Sequence, residues 1–380
     1  MNTPPFPVPD AAALAVSEAL LERIRSAIDD AGGWLGFERF MQMALHEPGL
    51  GYYSAGAAKL GADGDFATAP ELSDWLAAAL ASFIGRAIAD SSCRSLVELG
   101  AGSGKLARQL LEQLASRGHG DLDYSILETS ADLRERQKAH LDGFDVRWLD
   151  GLPEAGLRGI IVANEVADAI PVARFVKAGG AVLPLGVVWR RGGLVIVPGT
   201  ADPRLSEAVS RVESGLSDPL PDGYRSEICL LLGPWLAGLL GGIAAGGLLL
   251  IDYGLMRRDY YRAERSDGTL ICHYRQRAHA NPLLWPGLQD LSAWVDFSAV
   301  AAAARESGFA VTGFTTQSQF LLGAITADPV LAARRPSPRE ASALKTLILP
   351  GEMGERFKLM WLTRGFAAPA LPGRDFRNWL

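Results

Sequence analysis

Residues 95–105, SLVELGAGSGK, constrain the fold of this chain more than any other stretch. An apolar run typical of a buried strand leads into Gly100, Gly102 and Gly104, and a helical pattern begins at Lys105. Glycines in such a turn let the backbone adopt left-handed angles and approach a ligand closely. The stretch therefore predicts the first strand, turn and helix of a nucleotide-binding α/β sheet, although a tight turn without a ligand can share so short a motif.

The charge beside this turn indicates the class of ligand. Glu98 lies two residues before the first glycine, where its carboxylate would repel a pyrophosphate. The GxGxG spacing also differs from the GxGxxG of dinucleotide-binding proteins and from the P-loop. A carboxylate at this place suits a ligand with a cationic amino-acid part, so we predict S-adenosylmethionine (SAM) as the cofactor.

The next two predicted strands also end in acidic residues. The second strand, 123–127, ends at Glu128, the place where nucleoside-binding sheets hold ribose hydroxyls through charge-assisted hydrogen bonds. The third ends at Asp150, which could accept a hydrogen bond from an adenine amino group or simply form the turn before Gly151. We therefore predict Glu128 and Asp150 as further cofactor-binding residues.

The fourth predicted strand, 159–164, carries the residues that we assign to catalysis. Ligands of a doubly wound sheet lie at the carboxyl ends of its strands, so Asn164, Glu165 and Asp168 should face the crevice beside the glycine turn. Two carboxylates there could hold a guanidinium or ammonium group or accept its proton. The alternative is that Asn164 caps a helix whose first turn exposes both acids.

Substrate contacts are predicted from two loops and from the fifth strand. The loop 46–73 is rich in glycine yet carries two adjacent tyrosines, and long ordered loops are often functional. The fifth strand ends in an Asp-Tyr pair. His279, in a later polar loop, is a candidate base because histidine titrates near neutrality, although a lone loop histidine is more often structural. The residues predicted to bind substrate are Tyr52, Tyr53, Asp252, Tyr253 and His279.

Three further segments complete the predicted architecture. Residues 173–198 alternate apolar and polar side chains around glycine turns, which is typical of an inserted β-meander. The uncharged stretch 228–251 is long enough to span a membrane, but its Gly246–Gly247 pair favours a buried helix followed by a central strand. A last strand, 357–365, is expected to insert antiparallel and to complete a seven-stranded sheet.

Composition and charge argue against several classes of function. The chain has 380 residues, enough for one large domain with inserts or for two domains. Its net charge is −6 and no block of lysine or arginine stands out, so a nucleic-acid groove is not favoured. The three cysteines lie far apart and the five histidines form no metal-binding pair, so no metal site is predicted.

The N-terminal residues show no targeting pattern. They lack the basic region of a signal peptide and include Asp10, and they are not rich in arginine as a transit peptide is. Sparse, unpaired cysteines are typical of a reducing compartment. We therefore expect a cytoplasmic protein.

The motifs together resemble one family, the MidA-like methyltransferases (the former DUF185 group). They run in order over nearly the whole chain, which makes the match far more specific than the glycine turn alone. The motifs are GYY at 51–53, GDFATAPELS at 64–73, VELGAGSGKL at 97–106, LETSADLRERQ at 127–137, ANEVADAIPV at 163–172, IDYG at 251–254, HANPLLWPGLQDLSAWVDF at 279–297, TTQSQFL at 315–321 and EMGERFKLM at 352–360. This chain has GAGSGKL where the family usually has GPGRGTL.

The resemblance implies a class I methyltransferase that binds SAM over the glycine turn. It gives the turn and Glu98 to the methionine part and Glu128 to the ribose, with Asp65 and the TAPE segment closing over the cofactor. It also implies a protein arginine as methyl acceptor, because the family includes a mitochondrial assembly factor that methylates an arginine of a complex I subunit. The expected partner is accordingly a protein substrate such as a subunit of a respiratory-chain dehydrogenase.

The predicted fold class is α/β, a seven-stranded Rossmann-like sheet with a helical N-terminal region and an inserted β-meander. The predicted regions are 1–90, helical with a cofactor-covering loop; 91–172 and 226–380, the methyltransferase core with inserts; and 173–225, the insert. Its inserts could form a homodimer surface or a substrate clamp. The alternatives to arginine methylation are a SAM-binding assembly chaperone with little or no catalysis and a small-molecule methyltransferase.

Overall fold

The computed structural model describes residues 6–54, 68–89, 93–152 and 155–380. These residues form two compact units. The described residues within 1–66, 169–231 and 257–294 form the first unit, and those within 67–168, 232–256 and 295–380 form the second.

The elements are numbered in chain order. The helices are α1 (Ala11–Asp30), α2 (Phe37–His46), α3 (Ala69–Leu72), α4 (Trp75–Ala89), α5 (Lys105–Ser116), α6 (Ala131–His140), α7 (Pro203–Glu213), α8 (Leu232–Gly241), α9 (Arg257–Tyr260), α10 (Phe297–Glu306), α11 (Gln317–Ala327), α12 (Pro329–Ala333) and α13 (Pro338–Ile348). The strands are β1 (Leu35–Gly36), β2 (Ser95–Leu99), β3 (Asp123–Leu127), β4 (Val146–Leu149), β5 (Leu157–Asn164), β6 (Ala173–Ala178), β7 (Ala181–Arg190), β8 (Gly193–Pro198), β9 (Arg225–Ile228), β10 (Ile243–Leu255), β11 (Ile271–Tyr274), β12 (Arg277–His279), β13 (Asp290–Ser292), β14 (Val295–Asp296), β15 (Ala310–Thr316) and β16 (Phe357–Arg364).

The second unit contains the predicted sheet. Its strand order is β15-β16-β10-β5-β2-β3-β4, with the short β14 also paired to β10. Strands β4, β3, β2, β5 and β10 run parallel, whereas β16 is antiparallel to both of its neighbours. The seven-stranded Rossmann-like sheet with an inserted antiparallel last strand is therefore confirmed.

The apolar runs form this sheet because its central strands are covered on both faces. Ile160 and Val162 of β5, with Leu249 and Ile251 of β10, are completely buried in one core. Helix α4 is buried nearly all round. Sheets of this kind bind their ligands at the carboxyl ends of the parallel strands.

The uncharged stretch 228–251 forms a helix and then a strand, as predicted, but the strand begins earlier than expected. Strand β10 starts at Ile243 and passes through Gly246, which pairs with Gly159 of β5. A side chain at Gly246 would place its first carbon 1.9 Å from the Gly159 carbonyl oxygen, so this glycine permits close strand approach. None of the helices in the described part of the chain is both long enough and apolar enough to cross a membrane.

The first unit is built on antiparallel strands. Strands β1, β7, β6 and β9 pair in that order and β8 adds to β7, which confirms the meander predicted for 173–198. A second sheet has the order β12-β11-β13.

The boundaries of the two units differ from the predicted regions. Residues 257–294, which the sequence placed in the methyltransferase core, lie in the first unit because Cys272 and Leu291 share an apolar core with Leu20 and Phe40 of the N-terminal helices. Helix α4, predicted with the N-terminal region, packs in the core of the second unit. Hydropathy alone does not reveal which core an apolar side chain joins.

Candidate cofactor and catalytic site

The glycine turn after β2 has the backbone that its sequence predicts. Gly100, Gly102 and Gly104 have φ values of +58°, +56° and +81°, in the left-handed region that side chains disfavour. The N–H of Gly100 donates to the Leu127 carbonyl at 2.9 Å and so fixes the turn to the end of β3. Gly100 is exposed and Gly102 is half-buried, so the backbone of the turn is accessible to a ligand.

Two acidic side chains lie beneath and beside this turn. Glu98 is buried and accepts a hydrogen bond from the hydroxyl of Tyr124 on β3. Burial, with a smaller contribution from the charge of Glu128, raises the pKa of Glu98 to about 7. Burial likewise raises the pKa of Glu128, although hydrogen bonds from the Ser130 N–H and the Gln137 amide oppose the shift. Buried carboxyl groups of this kind favour a cationic ligand over an anionic one.

This arrangement fits the predicted cofactor. The glycines let a ligand approach the backbone of the turn closely, and Glu128 can accept hydrogen bonds from ribose hydroxyls. The buried position of Glu98 means that it acts on a bound cation mainly through its charge. SAM carries an ammonium and a sulfonium group, which match this negative potential.

Titration of Glu98 should make binding of S-adenosylhomocysteine (SAH) depend on pH. A cation favours the ionised carboxylate, so ligand binding lowers the raised pKa and affinity increases as the pH rises toward about 7, the value that burial gives Glu98. We expect SAH affinity to increase roughly two- to tenfold per pH unit below that value and to stay constant above it. Calorimetric titration over this range measures the profile. A Glu98→Gln variant should show a flatter profile, and a flat wild-type profile would contradict the assignment.

Asp150 lies at the edge of the site. Its side chain is 91% exposed and pairs with Arg134 at 2.8 Å. Arg134 also donates to the Leu149 carbonyl at 2.9 Å, so the pair closes the turn after β4. Contact with an adenine amino group remains a prediction for Asp150.

The turn after β5 is strained and polar. Glu165 has φ +55°, a left-handed conformation that costs energy for a residue other than glycine. Its N–H donates to the Ile251 carbonyl at 2.9 Å, and the Asn164 amide donates to its carboxylate at 3.2 Å. The amide oxygen of Asn164 is buried and has no hydrogen-bond partner among the described residues. An unsatisfied buried acceptor beside strained backbone is typical of a site that a ligand completes.

This turn adjoins the glycine turn. Strand β5 pairs with β2, with Ala163 opposite Leu99. A side chain at Gly100 would come within 3.3 Å of Val166. The predicted cofactor and catalytic residues after these two strands are therefore brought together at one sheet edge.

Asp252 holds this turn rather than a substrate. The side chain is fully buried, and one carboxylate oxygen accepts hydrogen bonds from the N–H groups of Val166, Ala167 and Asp168 at 2.8–3.2 Å. The other oxygen accepts from the Tyr253 N–H at 2.9 Å. The prediction of a substrate contact by Asp252 is thus wrong, because both oxygens are enclosed and bonded to the backbone.

The other predicted residues of this sheet edge are partly enclosed. Asp168 is buried at the end of the turn. Tyr253 is half-buried, and its ring centre lies 4.0 Å from that of Phe357. The assignments of Asp168 to substrate orientation and of Tyr253 to substrate binding remain predictions.

The remaining predicted substrate residues belong to the first unit. Tyr52 is buried in its apolar core, so the prediction that it contacts substrate is wrong. The hydroxyl of Tyr53 donates to Asp290 at 2.8 Å. His279 accepts a hydrogen bond from the Asn281 N–H at 3.2 Å, and burial lowers its pKa. Asp65, predicted to cover the cofactor, lies outside the described residues.

Two residues of the second unit have roles that the sequence did not reveal. Glu71 of α3 accepts a hydrogen bond from Ser103 at 2.7 Å and pairs with Lys105 at 3.1 Å. Gln137 of α6 donates to both the glycine turn and Glu128. The sequence pointed to Glu71 and Gln137 only through their positions in the motifs TAPELS and LETSADLRERQ.

No group of three or more His, Cys, Asp or Glu residues is placed to hold a metal ion in the part of the chain that the structure describes.

Comparisons with known proteins agree with this geometry. A family model described as "Putative S-adenosyl-L-methionine-dependent methyltransferase" matches residues 75–315. The chain is 29% identical to the protein arginine methyltransferase NDUFAF7 of Danio rerio, covering 90% of this chain and 86% of that one. It is 27% identical to the NDUFAF7 homologue of Drosophila melanogaster, covering 97% and 90%.

A crystal structure of a similar protein bears on the cofactor. A COG1565 superfamily member from Burkholderia thailandensis, bound to SAH, is 39% identical, with a TM-score of 0.91 over 99% of this chain and 100% of that one. The predicted SAM cofactor is thereby confirmed.

Proposed function

Because the chain belongs to the MidA-like family of SAM-dependent methyltransferases, we propose that it methylates an arginine side chain of a protein. The observation that carries the proposal is the turn after β5, where a strained Glu165 and an unsatisfied Asn164 oxygen adjoin the glycine turn. A carboxylate and an amide oxygen together suit a guanidinium group, which offers only hydrogen-bond donors. The arginine methyltransferase names of the 27–29% identical relatives support the same acceptor.

The residues of the site have distinct roles in this reaction. When bound, SAM supplies an electrophilic methyl group on its sulfonium sulfur. Glu165 and Asp168 orient the guanidinium, and the Asn164 oxygen accepts one of its N–H groups. The acceptor nitrogen gains the methyl group as the bond from that carbon to the sulfonium sulfur breaks, which leaves SAH, and the nitrogen loses a proton, which Glu165 receives and passes to water. Alignment of the nitrogen and exclusion of water account for most of the rate.

The partner that we propose is a subunit of a respiratory-chain dehydrogenase. Its support is the family resemblance, in which an assembly factor methylates such a subunit. The negative net charge of this chain also suits a basic, arginine-bearing segment.

Labelled methyl transfer into a cell extract tests this function. The extract comes from a strain of the source organism that lacks the gene, so that its acceptor is unmethylated. The expected result is labelled methylarginine in one or a few proteins. Label in methyllysine, RNA or the small-molecule fraction would contradict the proposal, and SAH binding without any transfer would favour a docking role. Heat-denatured enzyme is the control.

A further inference from the structure

Gln137, on helix α6, joins three parts of the cofactor site. Its side chain is completely buried. The amide nitrogen donates to the Gly102 carbonyl and to the Glu128 carboxylate, both at 3.0 Å. The amide oxygen accepts from the ring N–H of Trp148, also at 3.0 Å. One neutral side chain therefore links the glycine turn after β2, the residue after β3 and strand β4.

These partners fix the orientation of the amide. The Gly102 carbonyl and the Glu128 carboxylate only accept hydrogen bonds, whereas the Trp148 ring nitrogen only donates. A single orientation of glutamine satisfies all three partners. An apolar side chain would satisfy none of them, and an ionised glutamate would offer no donor.

Gln137 also holds Glu128 in a defined position. One oxygen of this carboxylate accepts from the Ser130 N–H at 2.9 Å and the other from Gln137. Each oxygen keeps further acceptor capacity, which two ribose hydroxyls can use. Without Gln137 one oxygen would have to find another partner, and the carboxylate would rotate.

We propose that Gln137 is a positioning residue for SAM, which orients the Glu128 carboxylate toward the ribose and holds the Gly102 carbonyl at the base of the turn. The proposal rests on the cofactor site alone. Binding of SAH needs no methyl acceptor, so this proposal can fail while arginine methylation stands, and the reverse.

A Gln137→Met variant tests the proposal, because methionine fills a similar volume without hydrogen bonds. We expect SAH affinity to fall by roughly 10- to 100-fold in calorimetric titration, the range for a lost hydrogen bond to a charged group. The matched control is Gln317→Met on α11, since Gln317 is equally buried and donates to the Leu347 carbonyl, away from the glycine turn and Glu128. The control should lose stability but bind SAH as the wild type does. Unchanged SAH affinity in folded Gln137→Met would overturn the proposal.

Two further variants distinguish positioning from general stability. In a Glu128→Ala background, Gln137→Met should cost less affinity than it does alone, because the part of its effect that passes through Glu128 is already lost and only the contact with the Gly102 carbonyl remains to be lost. Full additivity would contradict that route. Gln137→Glu places a second carboxyl beside Glu128, so its SAH affinity relative to wild type should fall as the pH rises and that carboxyl ionises. Glu98, Arg134 and His140, whose side chains lie near Glu128 or the glycine turn, are unchanged in this comparison.

Discussion

Glu165→Gln is expected to lower the rate of methyl transfer at saturating SAM by about 100-fold or more, the range for loss of a general base. The side chain keeps its shape and can still contact Asn164, whose amide lies 3.2 Å from the Glu165 carboxylate. It loses the charge that, in the proposed reaction, orients the guanidinium and receives its proton. SAH affinity should stay within about threefold of wild type, since the predicted cofactor contacts lie on the glycine turn and Glu128. Equal loss of binding and transfer would contradict the assignment.

The strained backbone of Glu165 provides a second test of the same residue. Glycine adopts a φ of +55° without strain. The free energy of unfolding of Glu165→Gly should therefore stay within about 1 kcal/mol of the wild-type value, while the variant loses activity. A residue kept for packing would instead destabilise the fold when removed. Glu112→Gln, at an exposed position of α5, is the control and should change neither quantity.

Gly246→Ala is expected to destabilise the protein by more than about 4 kcal/mol or to prevent folding. The added carbon would lie 1.9 Å from the Gly159 carbonyl oxygen, and the φ of +130° at this position disfavours any side chain. The contact is backbone to backbone in the centre of the sheet, so no side-chain movement can relieve it. Denaturant unfolding followed by circular dichroism measures the loss.

Gly241→Ala is the matched control for this substitution. Gly241 ends α8, five residues earlier, and nothing lies within 4 Å of a carbon added there. The free energy of unfolding of Gly241→Ala should stay within about 1 kcal/mol of the wild-type value, because alanine forms helices better than glycine does. Similar stability of both variants would show that β5 and β10 do not approach as closely as described.

The parallel sheet could be predicted because most of its strands have a clear signal in the local sequence. A continuous apolar run followed by a glycine or an acid marks the ends of β2, β3 and β5, and the glycine turn is local in sequence. The start of β10 was not predictable, since Gly246 resembles a break when read alone. It continues the strand because Gly159, 87 positions earlier, is also a glycine and leaves room for it.

Site residues that follow the ends of parallel strands could be predicted from the sequence, whereas site residues on other elements mostly could not. The end of a parallel strand fixes where Asn164 and Glu165 lie, because topology alone brings such residues to one edge. Asp252 was predicted at a strand end but lies inside β10, and its depth and its bonds to the 166–168 backbone depend on how two strands pack. Gln137 occupies a helix with little amphipathic pattern, and only its three distant partners identify it. Tyr52 resembles a binding residue in sequence and packs in a core.

A crystal structure of the protein with SAH tests the proposed cofactor site most directly. The predicted result is SAH on the turn Gly100–Gly104, with its ribose hydroxyls bonded to Glu128 and its amino group on the side of Glu98. The Asn164–Glu165 turn should then face the sulfur. SAH bound away from the glycine turn, or a ribose that makes no contact with Glu128, would contradict the account.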